Sequence, residues 1–282
     1  MRAEQVTGPV AYHAEGPVWS ERWGGLRWVD MFAGDVLSLG PDGTIGREHL
    51  SEIVAALRPR RDGGAVLGFE RGFALQDPDG TVESLPELWN DRNVRMNEGG
   101  CDPDGRFYCG SMAYDKQPGG GEVYRLDPDG AVTVVLEGVT VSNGLEWSPD
   151  GSRAYYNDTD THRTDVFDYD AGSGLTARRP FVEVPADVGR PDGLTVDSDG
   201  GVWVAMNGGG AIHRYTPAGA LDAVVQIAAR KVTACTFGGP RLDELFITTS
   251  REDLGPGDDP LAGSVFRAEP GVRGLPVREF AG

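Results

Sequence analysis

Four side chains that can offer oxygen to a ligand stand at one recurring position of the chain. Asn97, Asn143 and Asp192 each lie eight residues before a turn glycine: Gly105, Gly151 and Gly200 respectively. The phrase EGPVWS (15–20) overlies NGLEWS (143–148), which puts Glu15 at the same point. Counting back from Gly63 gives Ala55, and the phrase TACTFGG (233–239) gives Thr233. Two carboxylates and two amides in equivalent places suit a hard cation such as Ca²⁺, Mg²⁺ or Mn²⁺, which prefers oxygen ligands. Zn²⁺ also fits, although no Cys or His cluster singles it out. Taken alone, each Asn or Asp could equally cap strand backbone beside Gly144 or Gly193. Taken together, Glu15, Asn143 and Asp192 point to one divalent metal ion. Arg95, two residues before Asn97, is either an ordinary surface ion pair or a clamp for hydroxyls and a developing oxyanion.

The elements that must position these residues follow from internal repetition. A turn of the type PDG or GG followed by an apolar strand recurs as GGLRWVD (24–30), DGGAVLGFE (62–70), DGRFYCGSM (104–112), DGSRAYYND (150–158), DGGVWVAMN (199–207) and LDELFITTS (242–250). A second phrase of strand, tight turn and strand follows each, from GDVLSLGPDGTI (34–45) to GSVFRAEPGVRG (263–274). The unit is a four-stranded antiparallel meander, and six such units predict an all-β fold, a six-bladed β-propeller filling residues 1–282 as a single domain. Radial closure removes the exposed edges that an open sheet of so many strands would carry.

Inner strands are expected to begin near residues 15, 55, 97, 143, 192 and 233, so their first residues ring the tunnel mouth. Loops after the second strands, at 31–33, 113–120, 159–163, 208–209 and 251–262, should share that face. Residues 3–10 are expected to close the last blade beside 264–268, with 277–280 competing for the same outer place. Recurrence on every blade makes the PDG turns hairpin turns rather than calcium loops. With 42 Gly and 19 Pro spread along the chain, only Pro86–Asn93 could form a helical turn.

The formal net charge is −18, which repels phosphate backbones and anionic lipid and so argues against nucleic-acid and membrane partners. Three cysteines, Cys101, Cys109 and Cys235, do not read as a disulfide framework and are expected to be reduced. The N-terminus has no apolar signal-peptide core, and no apolar run nears the roughly 18 residues of a membrane span. A soluble, cytoplasmic protein is expected, as a monomer or small homo-oligomer.

The phrases RMNEGGCDPDGRFYCGSM (95–112), SNGLEWSPDG (142–151), PDGLTVDSDGGVWVA (191–205) and TFGG…ELFITTS (236–250) carry a family resemblance. In order and spacing the chain resembles the senescence-marker/regucalcin/gluconolactonase family, from EGPVW (15–19) to GSVFR (263–267). The resemblance implies one divalent metal on Glu15, Asn143 and Asp192, substrate contacts from Arg95 and Asn97, and hydrolysis of aldonolactones such as gluconolactone. It also places an acidic substrate contact near Asp115, preceded by Tyr114. Many relatives carry Asn-Asp-Gly-Lys where this chain has Asn97-Glu98-Gly99-Gly100, a departure that bears on the substrate rather than on the metal.

On that basis the expected chemistry is metal-assisted opening of a small sugar lactone, with Asp192 as general base and Glu15 as the alternative. No G-x-S-x-G elbow or H-E-x-x-H motif supports another hydrolase route, and the four histidines (His13, His49, His162 and His213) are scattered. The rivals are a non-catalytic, calcium-binding regulatory propeller, a lactonase or esterase acting on a non-sugar lactone, and an interaction scaffold. A scaffold has no need of a polar ring at one end of its tunnel.

Overall fold

The computed structural model describes residues 1–282. Six four-stranded antiparallel sheets stand in a ring, each a meander from an inner to an outer strand. The chain is a six-bladed β-propeller. The inner strands are Ala14–Ser20, Val54–Pro59, Val94–Cys101, Ser142–Trp147, Arg190–Val196 and Val232–Gly238, starting where the repeat alignment predicts. Helical content is confined to single 3₁₀ turns at Glu21–Trp23, Met31–Ala33 and Thr159–Thr161. No helix is long and apolar enough to cross a membrane.

The hairpin turns close as their chemistry dictates. Asp42, Asp79, Asp129 and Asp150 each accept the backbone N–H two residues on, while Gly80 and Gly130 take φ near +90°. Aromatic pairs seal the seams between blades: Tyr108 on Trp147 at 5.2 Å, Trp203 on Phe237 at 5.7 Å and Trp19 on Phe246 at 5.6 Å. Cys101, Cys109 and Cys235 are free and buried, packed as small apolar groups.

Closure is made by the N-terminus, as expected. Glu4–Gln5 pairs antiparallel with Val265–Ala268 as the outer strand of the last blade. Residues 277–280 do not compete for that place. They cross the far end of the tunnel, where Leu275–Arg278 lie over the inner strands. Phe280 then bonds to blade two through Pro59 O (2.9 Å) and the Arg61 N–H (2.9 Å), and Ala281 reaches Gly105 O at 2.8 Å. The phenyl ring of Phe280 is buried with Val66, Leu126 and Phe107, and this burial draws the tail inward. Pro86–Asn93 forms no helical turn either, because its groups bond sideways. Leu88 N–H donates to Arg71 O and the Trp89 indole to Val94 O, with the Trp89 ring stacked on Tyr124.

The tail crossing predicts a large effect at one remote residue. Phe280→Ala should cost about 3–5 kcal/mol in chemical denaturation, against under about 0.5 kcal/mol for exposed Leu221→Ala. Equal small effects would show that the tail is not anchored as described.

Candidate functional site

All six inner strands break register at the same point. From Glu15 to Val18 one strand advances three residues while its partner advances two, and the same extra residue occurs at Ala55, Asn97–Glu98, Asn143–Gly144, Asp192–Gly193 and Thr233–Ala234. A β-bulge interrupts the alternation of side chains and re-aims one of them. Here the ring residues sit at the bulge. Glycine beside the ligand position is required by close approach: a Cβ on Gly193 would lie 2.4 Å from Ala234 Cβ, and one on Gly144 would lie 2.6 Å from Leu194 N.

The bulges open into a polar cavity of about 280 Å³ at the tunnel mouth. Glu15, Arg95, Asn97, Asn143 and Asp192 line it together. Ala55 and Thr233 do not; the Thr233 hydroxyl donates to Ala14 O at 2.6 Å. Asp115 is exposed on its loop, its carboxylate takes the Gln117 N–H, and the next residue, Lys116, lines the cavity instead. Loop residues Thr159, Gly208 and Glu252 also contribute, from the face expected.

A relay of hydrogen bonds fixes the amides. Arg95 Nη1 donates to Asn97 Oδ1 (2.6 Å), Asn97 Nδ2 to Asn143 Oδ1 (2.8 Å), and Asn143 Nδ2 to the Thr159 hydroxyl (2.7 Å), which donates to Pro191 O (2.8 Å). A guanidinium can only donate and a carbonyl can only accept, so both amide orientations are determined. Asn143 Oδ1 keeps one lone pair for a ligand. Arg95 is buried rather than a surface ion pair, lying under Phe32 and Tyr114 at 5.1 and 5.7 Å.

The acids of the mouth differ from the other buried acids of the fold. Asp102, Asp165 and Asp197 each hold an arginine, at 2.6, 2.7 and 2.7 Å. Glu15 and Asp192 hold none, nor does Glu98, which is buried at the bulge of blade three outside the cavity lining. Glu15 Oε2 accepts only the Gly16 N–H, Asp192 Oδ2 accepts the Asn207 amide at 2.7 Å, and Glu98 Oε2 is buried without a partner. His13 stands 3.9 Å from Glu15, but burial and then Arg95 press its pKa down to about 3, so it brings no charge. Burial raises the Glu15 carboxyl, with Asp192 adding to it. Burial likewise pushes Asp192 up to about 7 against the Asn207 hydrogen bond, and Glu98 up to about 8 with help from Asp192.

Unpaired buried acids beside an oriented amide oxygen could serve as oxygen donors to a hard divalent cation. No three His, Cys, Asp and Glu side chains cluster to hold a metal; beside Glu15 and Asp192 the further oxygen in the cavity is the Asn143 amide. Sequence reasoning missed His13, Lys116, Lys231, Glu252 and Asn207. Of these only Asn207 left a signal, as the polar last residue of a repeated phrase, DGGVWVAMN.

Residues 13–251 match the family model described as SMP-30/gluconolactonase/LRE-like region. The chain belongs to this family. It is 35% identical to pentonolactonase XacC of Haloferax volcanii, over 98% of this chain and 97% of that protein. It is 35% identical to the 6-deoxy-6-sulfogluconolactonase of Pseudomonas putida, over 95% and 94%. The crystal structure of regucalcin from Agrobacterium tumefaciens, titled a calcium-binding protein, superposes with a TM-score of 0.91 at 26% identity, covering 99% of this chain and 96% of that one.

The raised acids set the sign of a pH effect. Between the unfolded carboxyl range near pH 4 and pH 8, the folded metal-free protein holds protons that the unfolded chain has lost, so its stability falls as pH rises. Thermal melts should show a divalent cation raising Tm more at pH 8 than at pH 5.5. A cation effect that is flat or reversed across that window would contradict the charge balance described.

Proposed function

We propose that this chain hydrolyses a small sugar lactone at the tunnel mouth with the help of one divalent metal ion. The observation that carries the proposal is the group of buried acids without an ion-pair partner, beside an amide relay that starts at Arg95. The names of two relatives, a pentonolactonase and a sulfogluconolactonase, support sugar lactones as the substrate class.

Glu15, Asn143 and Asp192 would hold the cation, and a cation there would supply Lewis-acid polarisation of the ring carbonyl. The rest falls to the side chains. Water oxygen bonds to the carbonyl carbon, the ring C–O bond breaks, and the freed ring oxygen takes a proton to give the hydroxy acid. Asp192 accepts the water proton, its Oδ2 held by the Asn207 amide; Glu15 is the alternative base. The same carboxyl can return the proton to the leaving oxygen. Arg95 commits Nη1 to Met96 O and Asn97, leaving Nη2 without a protein partner at the cavity wall, where it holds substrate oxygen with Asn97 Oδ1. Asp115, exposed beside Lys116, reaches substrate only if its loop folds inward.

A second reading, a calcium-binding propeller without turnover, is favoured by the Agrobacterium relative, a regucalcin described as a calcium-binding protein. Both readings require the same ligands and differ in hydrolysis.

Three variants separate the roles when hydrolysis of gluconolactone and of a pentonolactone is followed against metal concentration. Asp192→Asn should stay about 10²-fold or more below wild type at saturating metal, because the base is gone. Asp192→Ala should lose metal binding as well. Asn143→Ala should need more metal and then recover most of its turnover. Full recovery of Asp192→Asn would move the base to Glu15. Metal binding by wild type with neither lactone opened would favour the second reading.

A further inference from the structure

The mouth above the acids is ringed by cations on a chain whose net charge is −18. Lys116, Arg190 and Lys231 line it together with Arg95, and the acids among the lining residues are Glu15, Asp192, Glu252 and Asp253. Four bases and four acids cancel among the lining residues, so a divalent cation on Glu15 and Asp192 leaves them two charges positive, or one when Asp160, the partner of Arg190, is counted. That balance draws in an anion rather than a neutral molecule.

The rim cations are not equivalent. Arg190 is ion-paired with Asp160. Lys231 donates to Glu252 O and lies 3.6 Å from Asp253. Lys116 makes no ion pair and no side-chain hydrogen bond, and it lines the cavity from the loop after the second strand of blade three. Its φ is 56°, a left-handed conformation unfavourable for lysine, and its N–H is tied to Ala113 O at 2.9 Å. Strained, over-determined backbone of this kind clusters at ligand clamps. Lys116 lines the same cavity as His13 and Asp192, which reach it from blades one and five. Lys116 is exposed at this rim, whereas Glu15 and Asp192 are buried below it.

We propose that Lys116, flanked by Arg190 and Lys231, selects lactones that carry an oxyanion substituent at the end remote from the ring carbonyl. This rests on the hydrolytic reading of the same site. Carboxylate, sulfonate and phosphate share the chemistry, each offering several acceptor oxygens to an ammonium. The product carboxylate of a neutral lactone could draw on the same field. Substrate preference separates the two cases, because it is set before the ring opens.

The test compares gluconolactone, which is neutral, with glucarolactone bearing a free carboxylate, for metal-loaded wild type, Lys116→Gln and Lys116→Arg. The wild-type ratio of kcat/KM, charged over neutral, should exceed about ten. Lys116→Gln should lower that ratio about tenfold, the size expected for one charge-assisted hydrogen bond, through KM for the charged lactone. Lys116→Arg should keep most of the ratio. A wild-type ratio at or below one, or a Lys116→Gln effect equal on both lactones, overturns the proposal. If neither lactone is opened, the hydrolytic reading fails, and binding of the open-chain acids still decides the anion site. Glucarate binding tighter than gluconate, with the difference lost in Lys116→Gln, supports it; equal binding overturns it.

Discussion

One extra residue in each inner strand is the constraint on which the site depends. A regular strand sends successive side chains to opposite faces, and in a propeller both faces are packed against neighbouring blades. A polar residue in such a strand would be lost in a seam. The bulge at Glu15–Val18 and its five counterparts breaks the alternation, and in four of the six blades a polar side chain turns into the axial cavity. The bulge also brings neighbouring backbones close. Gly144 and Gly193 sit where a methyl group would strike the next blade. Ligand and glycine are thus one device, an amide or acid aimed inward and a small residue that lets the blades close behind it.

The second determinant is charge. The fold satisfies its other buried acids: Asp197 alone takes an arginine, an indole and two backbone amides. Around the mouth the same fold gives Glu15, Asp192 and Glu98 no arginine or lysine ion pair, and burial raises their proton affinities. Unpaired buried charge is costly. Glu15 and Asp192 meet in one cavity, next to amides whose orientation is dictated from Arg95 to Pro191.

Much of this was legible in the sequence because the turn and the bulge are a fixed distance apart. Counting from Gly105, Gly151 and Gly200 finds Asn97, Asn143 and Asp192 without knowledge of the bulge. The loops obey no such count. Lys116, Lys231 and Glu252 come from connections of unequal length, and Asp115 cannot be told from Lys116 by position when one residue decides which side chain lines the cavity. The path of residues 277–280 was hidden for a different reason. Either terminus offers apolar residues that could finish the last blade, and the choice rests on where Phe280 finds a three-dimensional pocket. Burial of Arg95 was likewise a packing outcome, set by the rings of Phe32 and Tyr114.

The central claim is that the bulged ring forms one divalent-metal site and that lactone opening depends on it. The most direct measurement is turnover of a small aldonolactone by exhaustively chelated protein, before and during stepwise return of a divalent cation, with bound metal quantified in parallel. The account predicts turnover near the uncatalysed rate in the chelated protein, rising to its full value as one metal per chain is bound. Full turnover without metal, or saturation at a different stoichiometry, would contradict it.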